Sequence, residues 1–200
     1  MNRLFLISIC LLFIILTGCS GISFKTDKEL LQYLNDEDNG YVQNKTINGV
    51  KFTLLNRPVD LLVNQEIDSS NVEKIEAIRE KYKNYFYMNL SIQKNNQELL
   101  SVIPTDKAGF AELVNKLSFD INQNIHLYTS SRDTIQMSDF VYPRTFGMSK
   151  STTILLVYPR NKITLKDDFL VLSLANLNLG TGEVKFKIDT DKINNEPSLF

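Results

Sequence analysis

The chain has 200 residues, of which 43% are hydrophobic and 22% charged, and its formal net charge is −1. This balance, with 10% aromatic residues, is typical of one folded domain and excludes an intrinsically disordered chain. No segment carries clustered lysine and arginine, so the sequence predicts no nucleic-acid partner.

The chain starts with a short segment, Met1 to Arg3, that carries one positive charge. An uncharged run of thirteen residues follows at 4–16 (LFLISICLLFIIL). This is the length of the apolar region of a signal peptide, and it is shorter than the roughly 20 residues that cross a bilayer. The start of the chain is therefore predicted to be an export signal.

A four-residue motif, Leu16-Thr17-Gly18-Cys19, comes directly after this run. The order of an aliphatic residue, a small residue, glycine and cysteine resembles the lipobox of bacterial lipoproteins. The resemblance implies cleavage between Gly18 and Cys19, so that residues 1–18 are removed. It also implies a diacylglyceryl group on the sulfur of Cys19 and usually a further acyl chain, such as palmitate, on its new amine. The rest of the chain resembles uncharacterised envelope lipoproteins of similar size.

The cysteine count agrees with lipidation. Cys10, the other cysteine, lies inside the run that would be removed, so Cys19 would be the only cysteine of the mature chain. An odd cysteine in an exported protein needs an explanation, and acylation supplies one. Two alternatives stay open, namely a free Cys19 thiol in an uncleaved anchor and a disulfide with Cys10. Since one acyl chain binds a membrane only reversibly, two or three chains on Cys19 are expected to hold it firmly.

The residue after Cys19 indicates whether the inner or the outer membrane would receive the protein. In Gram-negative lipoproteins an aspartate at this position favours retention in the inner membrane, and here it is Ser20. By that resemblance we expect the outer membrane, with the protein facing the periplasm. The predicted organisation is a tether at 19–25 and a single domain at 26–200, bound to the membrane through acylated Cys19.

Capping motifs and apolar spacing predict three helices and one or two further turns at 59–67. Thr26-Asp27-Lys28-Glu29 and Ser70-Asn71-Val72-Glu73 each fit a capping box. Asn39-Gly40 fits the end of the first helix. The apolar positions that define the three helices are Leu30, Leu31 and Leu34; Val72, Ile75, Ile78 and Tyr82; and Phe110, Leu113, Val114 and Leu117.

Alternating residues and turn signals predict the strands. Asn48-Gly49 fits a type I′ hairpin turn, and residues 85–93 alternate between apolar and polar positions. Residues 98–104 (ELLSVIP) are predicted as a partner strand. Further strands are predicted at IHLYTS, TIQMSDFVYP, STTILLVYP, FLVLSL and EVKFKI, with one helical turn in the tail. The predicted fold class is α+β, a mostly antiparallel β-sheet with about three helices packed on one face.

Candidate catalytic and metal-binding residues are few. His126 is the only histidine, and no G-x-S-x-G motif supplies a nucleophile, so His126 is interpreted as an ordinary strand residue. Asp167-Asp168 and the acidic stretch at 35–40 are interpreted as turn and helix-end residues. The sequence therefore predicts no catalytic residue, no metal ligand and no cofactor. The repeated Tyr-Pro-Arg at 142–144 and 158–160 is interpreted as strand ends, with a recognition surface as the alternative.

Three functions remain in view. We expect a non-catalytic, membrane-tethered protein that binds or assembles with a partner of the cell envelope. The first alternative is a periplasmic hydrolase whose carboxylates converge in one pocket. The second is a lipid-anchored immunity or inhibitor protein. The sequence does not predict the ligand, the partner or the oligomeric state.

Overall fold

A computed structural model describes residues 21–67, 72–103, 106–145, 147–160, 168–175 and 177–199. The predicted signal sequence, the predicted lipobox and the first two residues of the second capping box, Ser70 and Asn71, lie outside these residues. Among the described residues, no helix has the length and apolar character that crossing a membrane requires. The α-helices are α1 (Asp27–Leu34), α2 (Val59–Glu66), α3 (Val72–Tyr82), α4 (Leu99–Val102), α5 (Lys107–Ser118) and α6 (Thr190–Asn194).

The strands form three sheets. They are β1 (Ser23–Phe24), β2 (Val42–Ile47), β3 (Val50–Arg57), β4 (Tyr85–Lys94), β5 (Ile125–Thr129), β6 (Thr134–Ile135), β7 (Asp139–Val141), β8 (Thr152–Pro159), β9 (Phe169–Leu174), β10 (Val184–Asp189) and β11 (Ser198–Leu199). A five-stranded sheet has the order β2-β3-β4-β8-β7, and a four-stranded sheet has the order β10-β9-β5-β6. All neighbours in these two sheets are antiparallel, whereas β1 pairs with β11 in parallel.

The two larger sheets share one apolar core. Because side chains alternate along a strand, each sheet has one face of buried residues. Phe52 and Leu90 from the five-stranded sheet belong to the same buried cluster as Leu127 and Phe186 from the four-stranded sheet. Leu99 of α4 and Leu117 of α5 join this cluster. The sheets therefore pack face to face, as in a sandwich.

Helices cover the outer face of the five-stranded sheet. Val63 of α2 and Ile78 of α3 pack against Tyr87 and Val157, which point away from the shared core. Leu55 likewise packs with the cluster that contains α1 and β11. The α+β class with mostly antiparallel strands is confirmed. Of the three helices predicted from apolar spacing, α1 and α3 lie on this face, while α5 lies against the core between the sheets.

The structure contains a helix cap and a hairpin turn that the sequence predicts. Thr26 caps α1, because its hydroxyl oxygen accepts a hydrogen bond from the Glu29 backbone N–H at 3.2 Å. The Glu29 carboxylate returns to the N–H of Lys25 rather than to that of Thr26. Asn48 and Gly49 both have positive φ angles, 50° and 74°, as a type I′ turn requires. The hairpin between β2 and β3 is therefore confirmed.

Two strand predictions are wrong. The described part of the segment 98–104 does not form a partner strand, because Glu98 precedes the helix α4 and the N–H of Leu99 donates to the hydroxyl of Thr152. The segment TIQMSDFVYP forms two short strands instead of one. Its first part, β6, pairs with β5, and its second part, β7, pairs with β8 in the other sheet. The segment therefore passes from one sheet to the other.

Tyr158 places a hydroxyl group inside the shared core. The residue is fully buried and stacks on Phe86, with ring centroids 5.7 Å apart. Burial raises the pKa of its phenol above the ordinary value. The hydroxyl has no hydrogen-bond partner among the described residues, and such a group reduces stability.

We predict that Tyr158→Phe raises the free energy of unfolding by about 1 kcal/mol, because the unpartnered hydroxyl is removed and the ring stays. Tyr87→Phe is the matched control, since the Tyr87 hydroxyl donates to the carbonyl oxygen of Tyr82 at 3.3 Å. That variant loses about 0.5–1 kcal/mol. Urea unfolding of both variants measures the difference. Equal losses of stability in the two variants would contradict this account of Tyr158.

Candidate functional site

The predicted lipidation residue Cys19 and cleavage residue Gly18 lie outside the described residues, but the chain that follows them is placed. Within the predicted tether, Ser23 and Phe24 form β1. Ser23 pairs with Ser198 and Phe24 with Leu199, and the N–H of Ser198 donates to the carbonyl of Ile22. The segment after the predicted lipobox is thus joined to β11, the last of the described strands.

A buried carboxylate fixes this last strand. Asp60 of α2 has a side chain that is only 7% exposed. Its Oδ1 accepts from Nε of Arg79 at 2.8 Å, and its Oδ2 accepts from Nη2 of Arg79 at 3.0 Å. The backbone N–H of Leu199 donates to the same Oδ2 at 2.8 Å. Asp60 therefore connects α2, α3 and β11 through charge-assisted hydrogen bonds.

A second ion pair holds the residues just before β11. Oε2 of Glu196 accepts from the N–H of Val59 at 3.0 Å, and its Oε1 accepts from Nη2 of Arg160. Because Pro58 at the start of α2 has no capping side chain, Glu196 supplies the acceptor for this helix end. Burial raises the pKa of Glu196, whereas Arg160 and the Val59 N–H act to lower it. Arg160 also donates to the carbonyl of Ile193 at 2.6 Å.

We call Asp60, Arg79, Arg160 and Glu196 the C-terminal clamp. They border a cleft of about 410 Å³ that Lys83 and Ser198 also line. Two carboxylates do converge here, as a hydrolase would need. However, every carboxylate oxygen of the pair already accepts a hydrogen bond from an arginine or a backbone N–H. This arrangement suits a structural connection better than proton transfer.

The outer face of the four-stranded sheet carries a second candidate site. A depression of about 630 Å³ opens on this face, and we call it the open-face groove. A neighbouring depression of about 580 Å³ shares Phe169 with it. Thr190 and Asn194 of α6 line the neighbouring depression. The groove residues used below are Tyr128, Arg132, Phe169, Val171, Glu183 and Lys185.

His126 lies on the same outer face but does not form a catalytic triad. It pairs across the strands with Ser173, and its ring centroid is 6.2 Å from that of Tyr128. Ser173 is only 2% exposed and donates its hydroxyl to Oε1 of Glu183 at 2.5 Å. A triad requires the histidine to accept the serine proton, and here the glutamate accepts it instead. The interpretation of His126 as an ordinary strand residue agrees with this geometry.

The two Tyr-Pro-Arg segments do not form one surface. Val141, at the end of β7, pairs with Leu155, so Tyr142 leaves the β7–β8 ladder at the end opposite to Tyr158. Tyr158 is buried in the core, Arg160 belongs to the C-terminal clamp, and Arg144 donates to Ser118. The alternative of a joint recognition surface is therefore wrong.

The acidic candidates within the described residues lie at a turn or next to the start of a strand. Asp36 caps the short 3₁₀ turn Glu37–Asn39, and Gly40 ends it with a φ angle of 75°. Asp168 is exposed at the start of β9, and Asp167 lies outside the described residues. No group of three or more metal-ligating side chains occurs in the part of the chain that the structure describes.

The sequence reasoning missed both candidate sites. Asp60 and Leu199 are 139 positions apart, and no local pattern connects them. Tyr128 and Phe169 lie on different strands, and only the pairing of β5 with β9 brings them to one face. The alternation in IHLYTS was a signal that Tyr128 lies on the side away from the core, whereas the continuous apolar run in FLVLSL gave no such signal for Phe169.

Comparison with known proteins yields one distant structural neighbour. No protein-family model matches the chain, and no curated protein matches it. A crystal structure described as a novel protein of unknown function from Burkholderia pseudomallei is similar, with a TM-score of 0.41 and 12% sequence identity. The match covers 82% of this chain and 83% of that one. Similarity at this level supports no conclusion about function.

We predict that Asp60→Asn lowers the free energy of unfolding by about 2–3 kcal/mol, because it leaves a partly buried arginine and the Leu199 N–H without their ionised partner. Glu76→Gln is the matched control, since Glu76 pairs with the same Arg79 at 2.7 Å but is 64% exposed. Its effect stays below about 0.5 kcal/mol. Urea unfolding measures both, and equal effects would contradict the role given to Asp60.

Proposed function

We propose that the chain is a bacterial lipoprotein, anchored through acylated Cys19, that binds a partner or ligand in the cell envelope. The observation that carries this proposal is the motif Leu16-Thr17-Gly18-Cys19 directly after an uncharged run of thirteen residues. Each element alone is common, but their order and spacing are those of a lipoprotein signal. By the same resemblance, Ser20 favours the outer membrane and its periplasmic face.

The position of β1 supports anchoring of a folded domain close to the membrane. Only four chain steps separate Cys19 from Ser23, which allows a reach of about 14 Å at most. Beyond Ser23 the chain is fixed, because β1 pairs with β11. The rings of Phe24 and Tyr33 also contact each other, with centroids 5.1 Å apart. An anchor at Cys19 would therefore limit both the distance and the orientation of the domain.

A binding role is favoured over hydrolysis because the convergent carboxylates already accept hydrogen bonds from other groups of the protein. The two convergent carboxylates, Asp60 and Glu196, are engaged by Arg79, Arg160 and backbone N–H groups. By contrast, the open-face groove presents half-buried aromatic rings and exposed polar side chains, the usual composition of a ligand site. Tethering would confine this groove near the membrane and raise its effective concentration there.

We predict that Cys19→Ser abolishes acylation and cleavage, so that the protein keeps residues 1–18 and gains no lipid mass. Cys10→Ser is the matched control, because Cys10 lies in the segment that cleavage removes. The mature Cys10→Ser protein has the same mass as the mature wild type. Intact-protein mass spectrometry of purified membranes measures both. A wild-type protein that retains residues 1–18, or a Cys19→Ser protein with added lipid mass, would contradict the proposal.

We predict that Ser20→Asp moves the protein from the outer to the inner membrane without changing its acylation. The reason is the sorting role that an aspartate has at this position in Gram-negative lipoproteins. Ser20→Thr is the control and stays in the outer membrane. Separation of the two membranes on a density gradient measures the distribution. Unchanged fractionation of Ser20→Asp would remove the argument for the outer membrane while leaving the lipid anchor intact.

A further inference from the structure

The open-face groove lies on the side of the sandwich opposite to β1. Leu170 and Leu172 of β9 point into the shared core, so Phe169 and Val171 point outwards. β1 and β11 lie with α1 against the outer face of the other sheet, where Leu55 contacts their cluster. An anchor attached before β1 therefore leaves the groove free to meet a ligand beyond the membrane surface.

The floor of the groove is aromatic and apolar. Tyr128 of β5 pairs directly with Val171 of β9, and the ring of Phe169 lies one position further along the same face of β9. All three side chains are half-buried. Rings supported in this way by a sheet offer flat apolar surfaces with little loss of conformational freedom on binding. A flat ligand with exposed C–H groups would fit them.

The rim of the groove supplies both donors and acceptors. Arg132 is exposed, has a φ angle of 71°, and its guanidinium has no partner within the described residues. Glu183 and Lys185 pair with each other at 2.8 Å and are each about half exposed. Arginine and lysine donate hydrogen bonds, and the carboxylate accepts them. The rim can therefore satisfy a ligand that both donates and accepts.

The charge of the face argues against strongly charged ligands. Three cationic side chains line the two depressions, together with four carboxylates: Arg132, Lys185 and Lys187, and Asp168, Glu183, Asp189 and Asp191. A nucleic acid or another polyanion needs a continuous run of positive charge. A polycation would meet the positive charges of Arg132, Lys185 and Lys187. An uncharged ligand with many hydroxyl groups meets neither penalty.

From these observations we infer that the open-face groove binds an uncharged oligosaccharide. One pyranose ring lies on Tyr128 and Val171, and a second takes the place of the Lys187 ammonium, whose Nζ lies 4.1 Å from the centroid of the Phe169 ring. The sugar hydroxyl groups bond to Arg132, Glu183 and Lys185. The groove volume of about 630 Å³ lies in the range of small-molecule sites, and the second depression beyond Phe169 can extend it. This inference names the ligand class of the binding function proposed above and rests on it.

The test titrates cellotetraose and chitotetraose separately into the full mature protein in detergent, with isothermal titration calorimetry as the readout. We expect at least one of them to bind. Phe169→Ala and Tyr128→Ala each weaken binding at least about tenfold, as loss of an aromatic anchor does. Arg132→Ala, an exposed change that leaves the core intact, weakens it about threefold or more. Circular dichroism confirms that each variant is folded.

Tyr85→Ala is the matched control, because Tyr85 is 37% exposed on the outer face of the other sheet. It leaves the affinity unchanged. If neither sugar binds at about 10 mM, a concentration at which a millimolar complex would be mostly formed, the inference is overturned. Equal binding by Phe169→Ala and wild type also overturns it, as does binding of single-stranded oligo(dT) in place of sugar.

Membrane attachment is measured on the same preparations, so that the two proposals can fail separately. If the protein stays in the membrane fraction but binds no sugar, the proposed sugar site is contradicted and the proposed lipid anchor stands. If the protein binds sugar but carries no lipid, the proposed lipid anchor is contradicted and the proposed sugar site stands. Both results are read from the wild type, and Cys19→Ser, which is expected to bind sugar without carrying lipid, is the control.

Discussion

The hydrogen bond between the Leu199 N–H and the Asp60 carboxylate is the constraint on which the rest of the arrangement depends. It fixes β11, and β11 is the strand with which β1 pairs. A two-residue parallel ladder is too short to be stable alone, so its position requires support from the rest of the domain. Arg79 and Glu196 give that support by connecting α2, α3 and the C-terminal residues. The described residues that follow the predicted lipobox are thereby joined to the body of the protein.

The packing of the two sheets places β1 and the open-face groove on opposite sides of the domain. One outer face carries α1, α2, α3 and the pair β1–β11, while the other outer face carries the open-face groove. Because two packed sheets lie about 10 Å apart and the helices add another layer, the groove and β1 are separated by the full thickness of the domain. A tether at the β1 side would therefore place the groove away from the bilayer. This separation is what a tethered binding protein requires.

Local patterns predicted much of the fold, and tertiary contacts decided the rest. The alternation in β4, the continuous apolar run in β8, the Asn48-Gly49 turn and the Thr26 cap were predictable because each depends on neighbouring residues. Residues 98–104 were misassigned because a short apolar run fits a strand or a helix equally well, and a distant hydroxyl of Thr152 stabilises the helical form. The break between β6 and β7 has no glycine or proline to mark it. The clamp and the groove arise from pairings between distant segments, so neither could be predicted from the sequence.

The most direct test of this account is the distance of each face from the bilayer. The measurement reconstitutes the mature protein with its proposed lipid anchor in nanodiscs that contain a paramagnetic lipid and records the relaxation of backbone amide signals. The account predicts strong broadening at Ser23 and Ser198 and little at Tyr128 and Val171, because paramagnetic broadening falls steeply with distance from the headgroups. Equal broadening on both faces, or stronger broadening at Tyr128 than at Ser23, would contradict it.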